Sequence, residues 1–151
     1  MEKILTERLQ LKIAVLPVER TKAIELLEIN ELPTSDLDED KFLYLLWEND
    51  MIIGTGGLEI FDDCGLLRSV SVMPGLQGKG YGRFINSELE KFAFDSGIRC
   101  MYLLTTTARE FFEKQGYCEV KRENVPGSIR QTSEYSSVCP STAVVMKKKL
   151  G

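Results

Sequence analysis

Apolar and polar residues alternate from Arg8 to Val15, with Leu9, Leu11 and Ile13 set against polar partners, and this period of two predicts a half-buried strand. After Pro17, which suits a first helical position, the period lengthens. Ala23, Ile24 and Leu27 share one helical face, and the stretch from Asn30 to Pro33 predicts the stop. Ser35 to Lys41 is acidic and polar and reads as a loop or short helix. Phe42 to Glu48 predicts a strand, Asn49-Asp50 its turn, and Met51 to Phe61 the partner strand, interrupted by Gly54, Gly56 and Gly57. A turn at Asp62 to Gly65 and a strand from Leu66 to Val72 complete an antiparallel meander.

The character then changes. Tyr81, Ile85, Leu89 and Phe92 make a helical stripe that Gly97 stops. Cys100 to Leu104 predicts a short strand, Ala108 to Gln115 a short helix capped by Gly116, and Tyr117 to Val120 the start of another strand. Lys121 to Ser141 has weak periodicity and contains Pro126, Gly127 and Pro140, so it reads as a long loop with one helical turn at most. Loops of that length in compact domains often carry function. Ala143 to Lys149 closes as a strand, and with no repeat or linker residues 1–151 are expected to form a single domain.

Composition narrows the classes. With 43% apolar and 28% charged residues in 151, the chain reads as a soluble globular domain, which excludes disorder, collagen and a long coiled coil. The net charge is −4 and the basic residues are scattered apart from Lys147 to Lys149, which argues against a nucleic-acid or anionic-membrane surface. Neither a signal peptide nor a membrane span is expected, and the cytoplasm is the expected location. The chain has no histidine, and its four cysteines, Cys64, Cys100, Cys118 and Cys139, form no CxxC pair. That excludes zinc-finger spacing and histidine triads, so no metal is expected and the thiols are read as reduced, packed side chains.

The chemistry concentrates between Val70 and Gly82, where a strand runs into a helix. Gly78, Gly80 and Gly82 at alternate positions expose backbone N–H groups at a helix N-terminus, an arrangement suited to a phosphate. The spacing is neither GxGxxG nor a Walker loop, and a tight turn with structural glycines is the alternative. Gln77-x-x-Gly80-x-Gly82, behind a strand-end valine and a proline, resembles the pyrophosphate loop of the GNAT N-acyltransferases, and the order of predicted elements agrees over nearly the whole chain. The resemblance implies an α/β GNAT fold: a mixed central sheet of six to seven strands, antiparallel in its N-terminal half, splayed between strands 4 and 5 and flanked by helices. It implies acetyl-CoA as cosubstrate, held by Val70, Ser71, Val72, Gln77, Gly78, Lys79, Gly80, Tyr81, Gly82, Thr105, Phe111 and Phe112. The amide of Val72 is expected to face the thioester carbonyl. Two positions depart from the family: Thr105 replaces a common cofactor-touching asparagine, and Phe112 replaces the tyrosine that often protonates the departing thiolate.

Leu66-Leu67-Arg68-Ser69, Leu103 to Ala108, Phe111-Phe112 and the stretch from Ile129 to Pro140 resemble more closely the GNAT subfamily carried in bacterial arsenic-resistance operons. The implied reaction is direct acetyl transfer, in a ternary complex, to the primary amine of a small, anionic, amino-acid-like molecule. Tyr135 or the Thr106 hydroxyl stands in for the missing acid, and Glu59 is the candidate base, with a solvated strand carboxylate as the alternative. Arg68, Ser69, Arg130, Glu134 and Cys139 are the candidate acceptor residues, with Val125 to Cys139 as a lid. For Arg68 the alternative is a surface ion pair with Asp62 or Asp63, and for Cys139 a packed tail residue. Since relatives are often dimers, a homodimer is expected. The rival readings are a non-catalytic acyl-CoA sensor and a protein N-terminal or lysine acetyltransferase, the latter hinted at by Asp36 to Asp40.

Overall fold

The alternating segment at the start of the chain forms β1 (Leu9–Ile13), and Pro17 opens α1 (Pro17–Ile29). β2 (Phe42–Glu48), β3 (Met51–Phe61) and β4 (Cys64–Val72) make the meander, followed by α2 (Tyr81–Asp95), β5 (Cys100–Thr105), α3 (Arg109–Lys114), β6 (Cys118–Val120), α4 (Gly127–Arg130) and β7 (Val144–Lys149). This computed structural model describes residues 8–32, 34–37, 42–132, 135 and 142–151. The strands form one seven-stranded sheet in the order β1-β2-β3-β4-β5-β7-β6, antiparallel apart from the β4–β5 pair, with helices on its flanks. That is the expected GNAT fold. The parallel ladder joins Cys64–Leu66 to Cys100–Tyr102, and β4 runs on past it to Val72.

The described chain divides into two compact units, residues 1–57 with 69–89 and residues 58–68 with 90–151, and it passes between them inside β3, β4 and α2. In the first unit, α1 buries Ala23, Leu26 and Leu27. A cluster of Ala14, Ala23, Leu43 and Leu45 forms there, with Trp47 and Ile52 packed against it. Ile24, expected on the buried face, is only half-buried, and Leu26 takes that place. As the edge strand, β1 buries only Leu9 fully, so Ile13 is 42% exposed despite the alternation. The glycines that interrupt β3 have a packing cause: a Cβ on Gly54 would come within 2.9 Å of Ile85 Cδ1, and one on Gly56 within 2.7 Å of Leu89 Cδ1. These two glycines let α2 lie close on the strand. The buried stripe of α2 continues from Leu89 to Ala93, while Phe92 remains partly exposed.

The second unit is built on Cys64, Leu66, Tyr102, Val125, Ile129 and Val145. Val125 and Ile129 come from the segment expected to be a long loop. It contains a 3₁₀ turn at Arg122–Asn124 and α4, and those two side chains anchor it in the core. Among the described residues, no helix is long and apolar enough to cross a membrane.

Candidate functional site

The first unit carries the end of β4, the glycine loop and the start of α2. Ser69 lies inside β4 at φ +58°, a left-handed residue of the kind that kinks a strand, and its carbonyl accepts a 2.7 Å bond from the buried Thr55 hydroxyl. Further along, the Met73 amide donates to the Ile53 carbonyl at 2.8 Å. Backbone direction alternates along a strand, so Ser71 and Met73 turn their peptide groups toward β3, and Val70 and Val72 turn theirs to the opposite edge. The Val72 carbonyl is taken there by two side-chain amides, Asn30 Nδ2 at 2.9 Å and Gln77 Nε2 at 3.2 Å. Ser71 is buried and its hydroxyl accepts from the same Asn30 amide.

In the loop, Gly75, Gly78 and Gly80 have φ of +90°, +80° and +92°. A Cβ at Gly75 or Gly78 would meet nothing within 4 Å, so these glycines are required by backbone direction and open space lies beside them. Gly80 accepts the first helical bond of α2, from the Phe84 amide at 3.1 Å. The amides of Tyr81 and Gly82 therefore fall in the first turn, beyond the reach of any intrahelical carbonyl. No acidic residue sits in that turn, and Lys79 is exposed just before it. The Tyr81 side chain points away from a ligand role: it is buried and its hydroxyl donates to Glu48 Oε2 at 3.1 Å, tying the helix start to β2. Burial first, then this carboxylate, raises its pKa above the usual tyrosine value. One turn after Gly82, Asn86 is 1% exposed and its Oδ1 has no hydrogen-bond donor. A buried acceptor left in this way suits a ligand with amide N–H groups, and the left-handed glycines at a helix N-terminus suit a pyrophosphate. Both groups occur in acetyl-CoA, so these residues fit the expected cosubstrate.

The second unit carries the candidate acceptor and acid–base residues. Arg68 and Glu59 form a buried ion pair, Nη1 to Oε2 at 2.9 Å, with side chains 1% and 9% exposed. This corrects both alternatives read from sequence: Glu59 is not solvated, and Arg68 is not in a surface ion pair but buried against Glu59. Thr105 Oγ1 accepts the Ala108 amide at 2.9 Å and so fixes the turn that leads into α3. Thr106 is exposed, Phe111 half-buried and Phe112 buried. The Phe112 ring makes edge contacts with Phe111 and Tyr117, at centroid distances of 5.0 and 5.8 Å. Tyr117 brings a hydroxyl near Phe112 but commits it, donating to Glu90 Oε2 at 3.0 Å, while Lys148 holds the other carboxylate oxygen at 2.8 Å. Burial, with Glu90 adding to it, pushes the Tyr117 pKa far above the ordinary range, so this phenol keeps its proton.

Tyr135 is half-buried, packs against the core of the second unit and lies under the Arg122 guanidinium, 5.0 Å from ring to cation. Arg130 is exposed at the end of α4. Glu134 and Cys139 lie outside the described residues. Of the other cysteines, Cys64 is buried and its thiol pKa raised, chiefly by burial, whereas Cys118 is exposed rather than packed. Among the described residues no group of three acidic or thiol side chains could hold a metal. Asn30, Thr55, Asn86 and Glu90 were not legible as site residues in the sequence. Asn30 sat at the expected helix stop, but nothing local indicates that it reaches a carbonyl 42 residues on.

Known proteins share the family pattern and the fold. The family model described as "Acetyltransferase (GNAT) family" matches residues 7–117. A curated relative, an amino-acid acetyltransferase of Mycobacterium tuberculosis, is 30% identical over 79 residues, 52% of this chain and 45% of its own. The match thus spans less than half of that relative. Among solved structures, the N-acetylglutamate synthase of Neisseria gonorrhoeae complexed with coenzyme A and L-arginine superposes with a TM-score of 0.78 at 19% identity, over 94% of this chain and 33% of that one. A Mycobacterium tuberculosis protein in complex with CoA gives 0.75 at 20% identity, over 94% and 99% of the two chains. At those identities the likeness shows the fold.

Proposed function

We propose that this chain, which belongs to the GNAT acetyltransferase family, transfers an acetyl group from acetyl-CoA to the primary amine of a small, anionic, amino-acid-like molecule. The observation that carries the reading is the joined unit of strand end, glycine loop and helix start, with Val72 turned off the β3 ladder and Gly75, Gly78 and Gly80 held left-handed. The 30%-identical relative, an amino-acid acetyltransferase, supports an amino-acid acceptor. Bound acetyl-CoA supplies an activated thioester. On the protein side, Gly78, Lys79, Gly80 and the first-turn amides of α2 hold the pyrophosphate, with Gln77 bracing the strand end behind them. Val70 and Val72 offer backbone groups to the pantetheine arm, and the Val72 N–H is the donor aimed at the thioester oxygen. Glu59 takes the amine's proton directly or through water.

Arg130, exposed at the end of α4, is the candidate cation for an acidic acceptor, and the Arg68–Glu59 pair serves as a matched partner for a zwitterion. Ser69, Glu134 and Cys139 are further acceptor candidates, Thr106 and Tyr135 are candidates for the acid, and Thr105, Phe111 and Phe112 are candidates for contact with the cofactor. The finer placement, with the arsenic-resistance subfamily in a cytoplasmic homodimer, adds an arsenical amino acid to the acceptors worth testing.

The experiment is release of free thiol from acetyl-CoA against a panel of acidic amino acids, an arsenical amino acid, neutral amines, polyamines and peptides. The expected result is turnover highest for the acidic amino acids. Preference for polyamines or peptides sinks the acceptor assignment. Tight CoA binding with background hydrolysis alone makes the protein a sensor, a reading that Phe112 favours by lacking the phenol.

A further inference from the structure

At the C-terminus of α1, Asn30 is the last half-helical residue, Glu31 takes a left-handed turn at φ +59°, and two bonds close the end. The Glu31 amide donates to the Glu28 carbonyl at 3.0 Å and the Leu32 amide to the Leu27 carbonyl at 2.9 Å. This is the Schellman pattern, here with a glutamate where glycine is easier. It fixes the backbone that carries the Asn30 side chain, whose Nδ2 donates to both the Ser71 hydroxyl and the Val72 carbonyl. A carbonyl only accepts, so the nitrogen of the Asn30 amide must face β4.

The Val72–Met73 peptide is consequently held at each polar atom. Its oxygen accepts from Asn30 and Gln77, and its N–H donates to Ile53. It is the last peptide of β4 before the glycine loop, and its rotation would swing both the Val72 backbone and the loop.

We propose that Asn30 is a positioning residue that locks the Val72–Met73 peptide and so sets the cofactor loop before acetyl-CoA arrives. The proposal rests on the acetyl-CoA reading above for its functional consequence, but not for the lock itself. Gln77 shares the carbonyl from the loop side, so the strand end is braced by one side chain that precedes β4 and one that follows it.

The test uses Asn30→Asp, close in shape but carrying an oxygen where the donor stood, with Asn30→Ala as the second variant should the first not fold. Amide exchange by NMR on cofactor-free protein reads the lock, and calorimetry with CoA reads its consequence. The expected result is at least about tenfold faster exchange of the Met73 amide, with Ile85 and Leu89 in α2 unchanged, and CoA affinity about tenfold weaker, which is about 1.4 kcal/mol. In kinetics, KM for acetyl-CoA rises while KM for the amine stays. Unchanged Met73 exchange, or equal acceleration at Ile85 and Leu89, overturns the proposal. If wild-type protein fails to bind CoA, the functional reading falls, and the exchange data still decide the lock.

Discussion

Arg68 and Glu59 offer the sharpest test of how the second unit spends charge. With charge centres about 4 Å apart at an effective dielectric of about 20, their attraction is about 4 kcal/mol, and stripping each ion of water costs several kcal/mol. The pair together is therefore near neutral for stability. Removing one partner is not, because the other stays in a site where the side chains are 1% and 9% exposed. Arg68→Met or Glu59→Leu alone should cost about 3–5 kcal/mol. For a chain of this size each kcal/mol lowers Tm by about 2–4 °C, so the singles should melt about 6–20 °C lower. Arg68→Met/Glu59→Leu should come within about 2 kcal/mol of wild type, a coupling of at least about 4 kcal/mol. Urea unfolding at pH 7 measures all four proteins. Singles within about 1 kcal/mol of wild type, or costs that simply add in the double variant, would refute the account of the pair. The folded double variant then separates structure from function: if the pair receives a zwitterionic acceptor, KM for the amine rises at least about tenfold while KM for acetyl-CoA holds.

Two further expectations follow from particular groups. Gly78→Ala places a Cβ in open space at φ +80°, so it should cost about 1–2 kcal/mol of backbone strain and weaken CoA binding by more than the same strain placed at Gly97, at φ +95° outside the loop; equal CoA affinity in Gly78→Ala and wild type would remove the loop from the cofactor site. Tyr117 has its pKa raised in the folded protein above the ordinary 10.0, so from about pH 10 upward the unfolded chain loses a proton that the native one keeps, and stability falls with rising pH; melts from pH 8 to 11 should show this slope in wild type and a shallower one in Tyr117→Phe.

The sequence carried the fold well because the fold is written in local periods. β2, its turn and β3 fall where alternation and Asn49-Asp50 put them, and α2 starts at Tyr81 as its stripe predicts. Its limit shows wherever a long-range partner decides. Ile13 alternates as a buried residue but sits on an edge strand, and Phe92 keeps the helical period yet gives way to Ala93, since a period cannot tell which side chain the neighbouring element has room for. The segment 121–132 looked like loop because its apolar residues, Val125 and Ile129, are too few to show a period, though both reach the core. The site divides in the same way. The glycine loop is legible because its chemistry is contiguous. The partners of its strand end come from Asn30, Ile53 and Thr55, and the charge on Arg68 is answered from β3, so single-sequence reasoning named Arg68 and Glu59 separately without joining them.

That division bears on how the proposed reaction would run without the usual phenol. A thiol with a pKa near 8.5 leaves as thiolate at modest cost near neutral pH, so a proton donor is helpful there and not obligatory. The phenol whose ring packs against Phe112, that of Tyr117, keeps its proton and is bound to Glu90, and the Tyr135 ring is turned to packing and to Arg122. What the fold holds rigid instead is backbone: a kinked strand fixed by Thr55, a strand-end peptide held by Asn30, Gln77 and Ile53, and a helix start tied by Tyr81 to Glu48. Fixed dipoles favour a developing charge without reorganising as it forms, whereas a mobile donor must first be ordered. On this reading the rate depends more on how firmly β4 ends than on a proton donor to the departing thiolate. Its dependence on pH should therefore follow the acceptor amine rather than a tyrosine.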